Sequence, residues 1–256
     1  MIDLHAHILP GIDDGPANLA GSLALAGAAA DEGTVAMVAT PHVRPDHPEV
    51  RPEELRSRVR ALSEAIAGAG VELELLPGGE VDLLWAQQAD DLDLRAVSLA
   101  QRGTDLLVET PYGELSDRFE EQLFNLSVRG YRILLAHPER SASFQRDQGR
   151  LEALVERGTL VQVTALSLAS TARRSRSRRL ALQLVRRGLA HVIASDAHGA
   201  HLPRLGLRAG VEAAARIAPL RASWMVTDAP AAILAGQPLP PPPHEAVRRI
   251  PRRPRT

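Results

Sequence analysis

The chain has 256 residues, 45% of them hydrophobic, with a formal net charge of −1 at pH 7. Such a chain can bury a sizeable core and carries no global field that would draw it to nucleic acid or a membrane surface. It holds no cysteine, which excludes disulfides, iron–sulfur clusters and thiolate attack on phosphate, and its 30 basic residues are all arginine, which excludes a P-loop lysine and Schiff-base catalysis.

In chain order, short apolar runs alternate with segments of helical spacing. Strands are expected at residues 1–4, 35–40, 71–76, 105–108, 132–136, 160–163 and 191–194. Helices are expected at residues 19–32, 52–69, 117–129, 150–157, 177–187 and 205–217, several of them closed by a glycine. Residues 82–98 read as loop with a short helix. This alternation implies parallel strands joined by right-handed crossovers. The expected fold is therefore α/β, a distorted (β/α)7 TIM-like barrel in a single domain over residues 1–236, with a doubly wound open sheet as the alternative. Residues 237–256 are rich in proline and arginine and are expected to be an extended or disordered tail. No basic region followed by an apolar run opens the chain, and no apolar stretch reaches about 18 residues. A cytoplasmic protein without direct membrane insertion is expected.

The chemistry gathers at the strand ends. His5 and His7 follow the first strand, His42 ("TPHV") the second, Glu80 ("PGGE") the third and Glu109 ("VETPY") the fourth. The fifth is followed by "AHPER", with His137, Glu139 and Arg140, and the seventh by "SDAH", with Asp196 and His198. The sixth, ending in Thr164, carries no obvious ligand. In a parallel barrel these ends open on one face, where such folds place their active sites. Residues two apart on an extended chain point to the same side, so His5 with His7, and Asp196 with His198, can each chelate one metal or bridge two. Each residue alone has an ordinary structural explanation, and "IDDG" alone is a turn; the convergence carries the reading. Mixed histidine and carboxylate ligands without thiolate suit manganese, zinc or iron. About eight or nine ligands are too many for one ion and imply two or three, about 3.5–4 Å apart. His47, His191, His201 and His244 are taken as non-ligands, with His201 near enough to the site to stay open.

"DLHAHILPGIDDG", "TPH", "PGGE", "AHPER" and "SDAH" together resemble the polymerase and histidinol phosphatase superfamily. Within it, "HILPGIDDG", "AHPER" and "DAPAAILAGQPL" bring the chain nearest the bacterial manganese-dependent protein-tyrosine phosphatases of capsule and exopolysaccharide loci. The resemblance covers residues 1 to about 240. It implies a three-metal site: His5, His7, Glu80 and Asp196 on one ion; Glu80, Glu109 and His137 on a second; Asp14, His42 and His198 on a third, with Asp13 the alternative to Asp14. It implies phosphate binding by Arg140 and by Arg204, with Arg208 competing for the second role, and manganese as the metal. It implies as partner a phosphotyrosine protein, a membrane tyrosine autokinase with a tyrosine-rich tail. Valine follows His42 where this subgroup often has histidine, glycine precedes Glu80 where glutamine is usual, and Thr110 stands where an aromatic is common. None of these departures removes an expected ligand.

The expected reaction is hydrolysis of a phosphomonoester without a covalent enzyme intermediate. A small-molecule phosphatase such as one for histidinol phosphate, or a metal-binding regulatory module without turnover, are the competing readings. A nuclease is disfavoured by the near-neutral charge and 3% aromatic content, because nucleic-acid sites combine basic stripes with stacking rings. The run "ARRSRSRR" reads as a solvated face, or alternatively as a dock for an acidic or phosphorylated partner. An oligomer is compatible with the sequence.

Overall fold

Apolar runs of four to six residues separated by amphipathic segments have one economical solution, a parallel sheet with helical crossovers packed on it. The computed structural model describes residues 1–172, 174–200 and 206–243. Its strands are β1 (Ile2–Ala6), β2 (Ala36–Ala39), β3 (His42–Val43), β4 (Glu74–Pro77), β5 (Glu80–Val81), β6 (Asp105–Glu109), β7 (Arg132–Ala136), β8 (Leu160–Thr164) and β9 (Val192–Ala194). All pair in parallel, in two sheets ordered β1-β2-β4 and β3-β5-β6-β7-β8-β9.

Beyond two of the expected strands, 35–40 and 71–76, the structure adds a second short strand after a break, β3 after β2 and β5 after β4. The first break falls at Thr40 and Pro41, where proline has no N–H for the ladder. The other falls at Gly78 and Gly79, where a Cβ would lie 2.7 Å from Val38 Cγ1 and 2.6 Å from Val43 Cγ2, respectively. Only glycine lets the third strand pass this close to the second. Both strands thereby leave the first sheet and enter the second, and His42 and Glu80 arrive as register partners on β3 and β5.

The outermost strands β1 and β9 meet through one parallel bridge, Ala6 with Ala197, not through a ladder. Asp196 N–H donates to His5 O at 2.8 Å and His7 N–H to Ala197 O at 2.9 Å. The α/β class and the parallel order match the expectation, while no continuous ladder closes a barrel among the described residues.

The crossovers carry α1 (Leu19–Asp31), α2 (Leu55–Gly68), α3 (Leu83–Gln88), α4 (Asp91–Val97), α5 (Phe119–Val128), α6 (Ala142–Arg146), α7 (Gln148–Glu156), α8 (Ala165–Ala169) and α9 (Arg176–Arg187). Helices α10 (Leu207–Ala215), α11 (Pro219–Trp224) and α12 (Asp228–Leu234) follow β9. The last two lie beyond the expected elements. The turn between them covers the starts of β1 and β9, with Ile2 N–H on Val226 O at 2.8 Å and Ile193 N–H on Met225 O at 3.2 Å. One buried cluster gathers Leu4, Val38, Leu107, Leu134 and Val192 from five strands with Ile233 of α12. The larger cluster joins the strands to the helices through residues such as Leu55, Ile66, Leu106, Phe119 and Phe144. Arg132 donates to Gln237 O at 2.8 Å and Leu239 packs partly against the core. His201, Arg204, Arg173 and residues 244–256 lie outside the described residues.

Candidate metal centre

From Asp3 onward β1 is buried, so its polar side chains must find partners inside the protein. Asp3 Oδ1 accepts the N–H of Ser195 at 3.0 Å, which ties the end of β9 to β1. His5 and His7, both fully buried, bring their Nε2 atoms to 3.2 Å of each other. Both face Glu80 Oε2, at 3.4 and 3.5 Å, and Asp196 Oδ1, at 3.3 and 3.5 Å. Glu80 Oε1 lies 2.8 Å from His137 Nε2, and Oε2 lies 2.9 Å from His42 Nδ1. Glu109 Oε2 stands 3.9 Å from that same nitrogen. Asp14 Oδ1 reaches His198 Nε2 at 3.2 Å, His42 Nε2 at 3.6 Å and His7 Nδ1 at 3.8 Å.

All nine residues expected to ligate metal therefore form one connected cluster. Their donor atoms gather within 4.8 Å of one another in four sets: His7, Asp14, His42 and His198; His5, His137 and Asp196; His5, His7 and Glu80; His42, Glu80 and Glu109. Glu109 thus groups with His42, where the resemblance grouped it with His137. Two of the nine hold left-handed backbone, His137 at φ 36° and Asp196 at φ 54°. Such conformations are costly for residues with a Cβ and are characteristic of functional sites.

The neighbours of these residues decide which atoms point inward. Asp13, not Asp14, is the buried carboxylate of the pair: its Oδ2 accepts from His7 Nδ1 at 2.8 Å and from His42 N–H at 3.2 Å, and its Oδ1 from Gly15 N–H at 3.0 Å. Asp14 is 55% exposed and directs Oδ1 into the cluster. Gln162, on the one strand with no expected ligand, accepts His137 N–H at 3.2 Å through Oε1, and the same oxygen takes His5 Nδ1–H at 3.1 Å. His198 Nδ1–H donates to Asp196 O at 2.9 Å. In all three histidines an acceptor fixes the proton on Nδ1 and leaves Nε2 as the nitrogen that faces the cluster. Arg44, absent from the sequence expectations, places Nη1 3.2 Å from Glu109 Oε2. A lone polar residue inside the apolar strand "LVQVT" was the signal for Gln162; Arg44 had none beyond its nearness to His42.

Burial alone would push the Glu80 carboxyl up, but the charge on His5, the hydrogen bond from His137 and the nearness of His42 outweigh it and hold it well below its ordinary value. Burial also opposes a charge on His7, yet its bonds to Asp13, Asp196 and Glu80 raise it well above the usual histidine value. Glu80 is thus a buried anion held among imidazoles. Glu80 Oε2 and His42 Nδ1 are both buried without a hydrogen-bond partner although they lie 2.9 Å apart. Inward lone pairs, orphaned buried donors and a nitrogen–oxygen donor set without sulfur fit divalent metal ions.

Beside the cluster, Arg140 places Nη1 2.7 Å from Asp196 Oδ2 and 3.3 Å from the Tyr112 hydroxyl. Arg208 is engaged elsewhere, with its N–H 3.3 Å from Glu32 Oε2 and its Nη2 on Glu32 O. His47 stacks on His42 with ring centroids 5.4 Å apart and belongs to none of the four sets. His191 lies at the opposite end of β9.

Residues 1–217 match the family described as capsular polysaccharide synthesis, CpsB/CapC. The chain belongs to the CpsB/CapC family. Among the CpsB/CapC relatives, the tyrosine-protein phosphatase YwqE of Bacillus subtilis is 34% identical over 199 residues, covering 77% of each chain. A putative tyrosine-protein phosphatase CapC of Staphylococcus aureus is 30% identical over 198 residues, again covering 77% of each. A solved structure from work on YwqE of B. subtilis and CpsB of Streptococcus pneumoniae, described there as unique metal-dependent tyrosine phosphatases, superposes with a TM-score of 0.85 at 30% identity. That superposition covers 96% of this chain and all of the other, so the CpsB/CapC fold extends over nearly the whole molecule.

Proposed function

We propose that this chain is a metal-dependent protein-tyrosine phosphatase that uses manganese. The observation that carries the reading is Glu80 Oε2: a buried carboxylate oxygen without a hydrogen bond, within 3.5 Å of nitrogens from His5, His7 and His42. The chain has no cysteine to serve as a nucleophile. The names of the relatives and the family description support the substrate class and the setting in capsular polysaccharide synthesis.

In this reading His5, His7, Glu80 and Asp196 would hold one ion, Glu80 and Glu109 a second with His137, although Glu109 groups with His42 in the structure, and Asp14, His42 and His198 a third. When bound, such ions supply Lewis-acid stabilisation of phosphoryl oxygens and a nucleophile from water at neutral pH. The protein's own contribution is position and charge. Asp13, Gln162 and the Asp196 carbonyl keep the Nε2 lone pairs of His7, His5 and His198 facing inward. Arg140, 23% exposed beside Asp196, offers a planar fork to the phosphoryl oxygens as charge builds on them. Arg204 remains the proposed second phosphate ligand, because Arg208 is committed to Glu32. A phenolate leaves readily, with a pKa near 10, so weak proton assistance suffices.

The proposed partner is a phosphotyrosine protein, a membrane tyrosine autokinase whose tail would be met in the cytoplasm. Among the described residues no helix is long and apolar enough to cross a membrane. Phosphate release from metal-stripped protein reloaded with manganese, zinc or iron tests the proposal, with phosphotyrosine peptide, phosphoserine peptide and histidinol phosphate offered side by side. Manganese-dependent preference for phosphotyrosine is expected. Preference for histidinol phosphate would overturn the substrate class, and activity independent of added metal would overturn the site.

A further inference from the structure

The chain has three phenylalanines, two tryptophans and two tyrosines. Phe119, Phe144, Trp224 and Tyr131 are buried in the core, Phe124 lies exposed on α5, and Trp85 lines a hollow with Arg44 and Asp46. Tyr112 alone sets its ring against a residue of the metal cluster, with its centroid 5.5 Å from that of His137 at an interplanar angle of 34°. It is 53% exposed, although a ring in a loop has easier places to go than the rim of a charged cluster.

Tyr112 is also held in place. Thr110 Oγ1 donates to Ala136 O, the Tyr112 carbonyl accepts Ala142 N–H at 2.9 Å, and Leu115 N–H donates to Ser143 Oγ at 3.1 Å. These bonds fasten the loop after β6 to the segment that carries His137 and Arg140. The Tyr112 hydroxyl accepts from Arg140 Nη1 at 3.3 Å, so the ring and the proposed phosphate-binding guanidinium form one unit.

We infer that Tyr112 is a specificity-determining residue that selects aryl over alkyl phosphomonoesters by packing its ring against the aromatic ring of the substrate. The inference rests on the phosphatase reading above and deepens it. A phosphoryl group held by Arg140 must carry its ester substituent outward, past the solvent edge of the cluster, and Tyr112 stands at that edge. An aromatic substituent gains a ring contact at the 4.5–7 Å centroid spacing that such pairs prefer, while the short alkyl arm of phosphoserine leaves the ring unused. The loop's bonds to the segment carrying Arg140 fix where the ring stands relative to the phosphate, and the hydroxyl's 3.3 Å contact with Arg140 only adds to them.

The test compares phenylphosphonate with methylphosphonate, two non-hydrolysable ligands that differ in the ring, as competitive inhibitors of the manganese-loaded full chain. Wild type, Tyr112→Phe and Tyr112→Ala are measured together, with metal content and thermal unfolding as controls for folding. Wild type is expected to prefer phenylphosphonate by about three- to tenfold, Tyr112→Phe to keep that preference, and Tyr112→Ala to bring the ratio within about twofold of unity. The same alanine variant should lose kcat/KM on phosphotyrosine peptide by a similar factor. A wild-type ratio retained by Tyr112→Ala overturns the inference, and so does equal loss of both ligands in Phe and Ala, which would leave Tyr112 only as a prop for Arg140. Wild type that releases phosphate from no monoester overturns the phosphatase reading and the inference with it. Wild type active on phosphotyrosine with an unchanged Tyr112→Ala ratio overturns the inference alone.

Discussion

Asp13→Asn and Asp14→Asn separate two adjacent carboxylates by what each one touches. Asp13 holds three donors, from His7 Nδ1 at 2.8 Å, Gly15 N–H at 3.0 Å and His42 N–H at 3.2 Å, and it does not face the other ligands. An asparagine there has one oxygen for two sides. If its NH2 faces His7, the imidazole proton is driven to Nε2, the nitrogen that faces Glu80 and Asp196, and that lone pair is lost to a cation. If its oxygen faces His7, the NH2 meets the Gly15 N–H, donor against donor. Removing such an outer partner lowers metal affinity by about 10–100-fold, or about 1.4–2.7 kcal/mol. Asp14 has the opposite profile: it is half exposed and aims Oδ1 at His198 and His42. Its replacement should remove the ion held with those two histidines. The assay is metal per chain by mass spectrometry at limiting and saturating manganese, together with the manganese dependence of phosphate release. Asp13→Asn should reach the wild-type complement at saturation but need about 10–100-fold more metal, whereas Asp14→Asn should fall short at saturation. The reverse pattern, a full complement in Asp14→Asn and a missing ion in Asp13→Asn, would refute the assignment of both.

Arg140→Gln should lower phosphate release by about 10²–10³-fold with metal content unchanged, as expected for losing one preorganised charge donor, and near wild-type kcat/KM would remove Arg140 from phosphate binding. Gly79→Ala would set a methyl 2.6 Å from Val43 Cγ2 and 3.2 Å from Val97 Cβ, so denaturant unfolding should show a loss of about 1–3 kcal/mol; unchanged stability would show that the second and third strands are not packed against each other there. Burial, then the Arg221 guanidinium, push His191 down to about 4, and its Nδ1 accepts Val161 N–H at 3.1 Å. The unfolded imidazole titrates near 6.5, so the unfolded state binds the extra proton, and stability should fall by up to about 3 kcal/mol as pH drops from 6.5 toward 4. His191→Asn should flatten that limb in metal-free protein, and an identical pH profile in both proteins would count against a neutral, half-buried His191.

The convergence of the candidate ligands was legible because it depends on two simple regularities. Parallel strands present their C-terminal ends on one side, and polar residues just past an apolar run mark those ends. His42, Glu80, Glu109, His137 and Asp196 needed nothing more, and all converge where that rule puts them. What escaped the sequence depends on where the backbone bends. The sequence reading ends the second and third strands at residues 40 and 76, but past Pro41 and the Gly78–Gly79 pair the chain resumes as β3 and β5, and this seats His42 and Glu80 in register as neighbours. The roles of Asp13 and Asp14 turn on the geometry of one tight loop, to which residue type is blind. Gln162 drew no expectation, since the strand that carries it ends in Thr164 without an obvious ligand, yet its position on that strand is informative. Each strand end in the cluster supplies a cation donor or fixes the proton on one that does, and a strand that supplied neither would leave His5 free to turn its other nitrogen inward. An apolar strand broken by one buried amide beside a ring of ligand-bearing strands is therefore itself a site signal, because the amide's desolvation is offset only by the histidine and backbone N–H groups it orients.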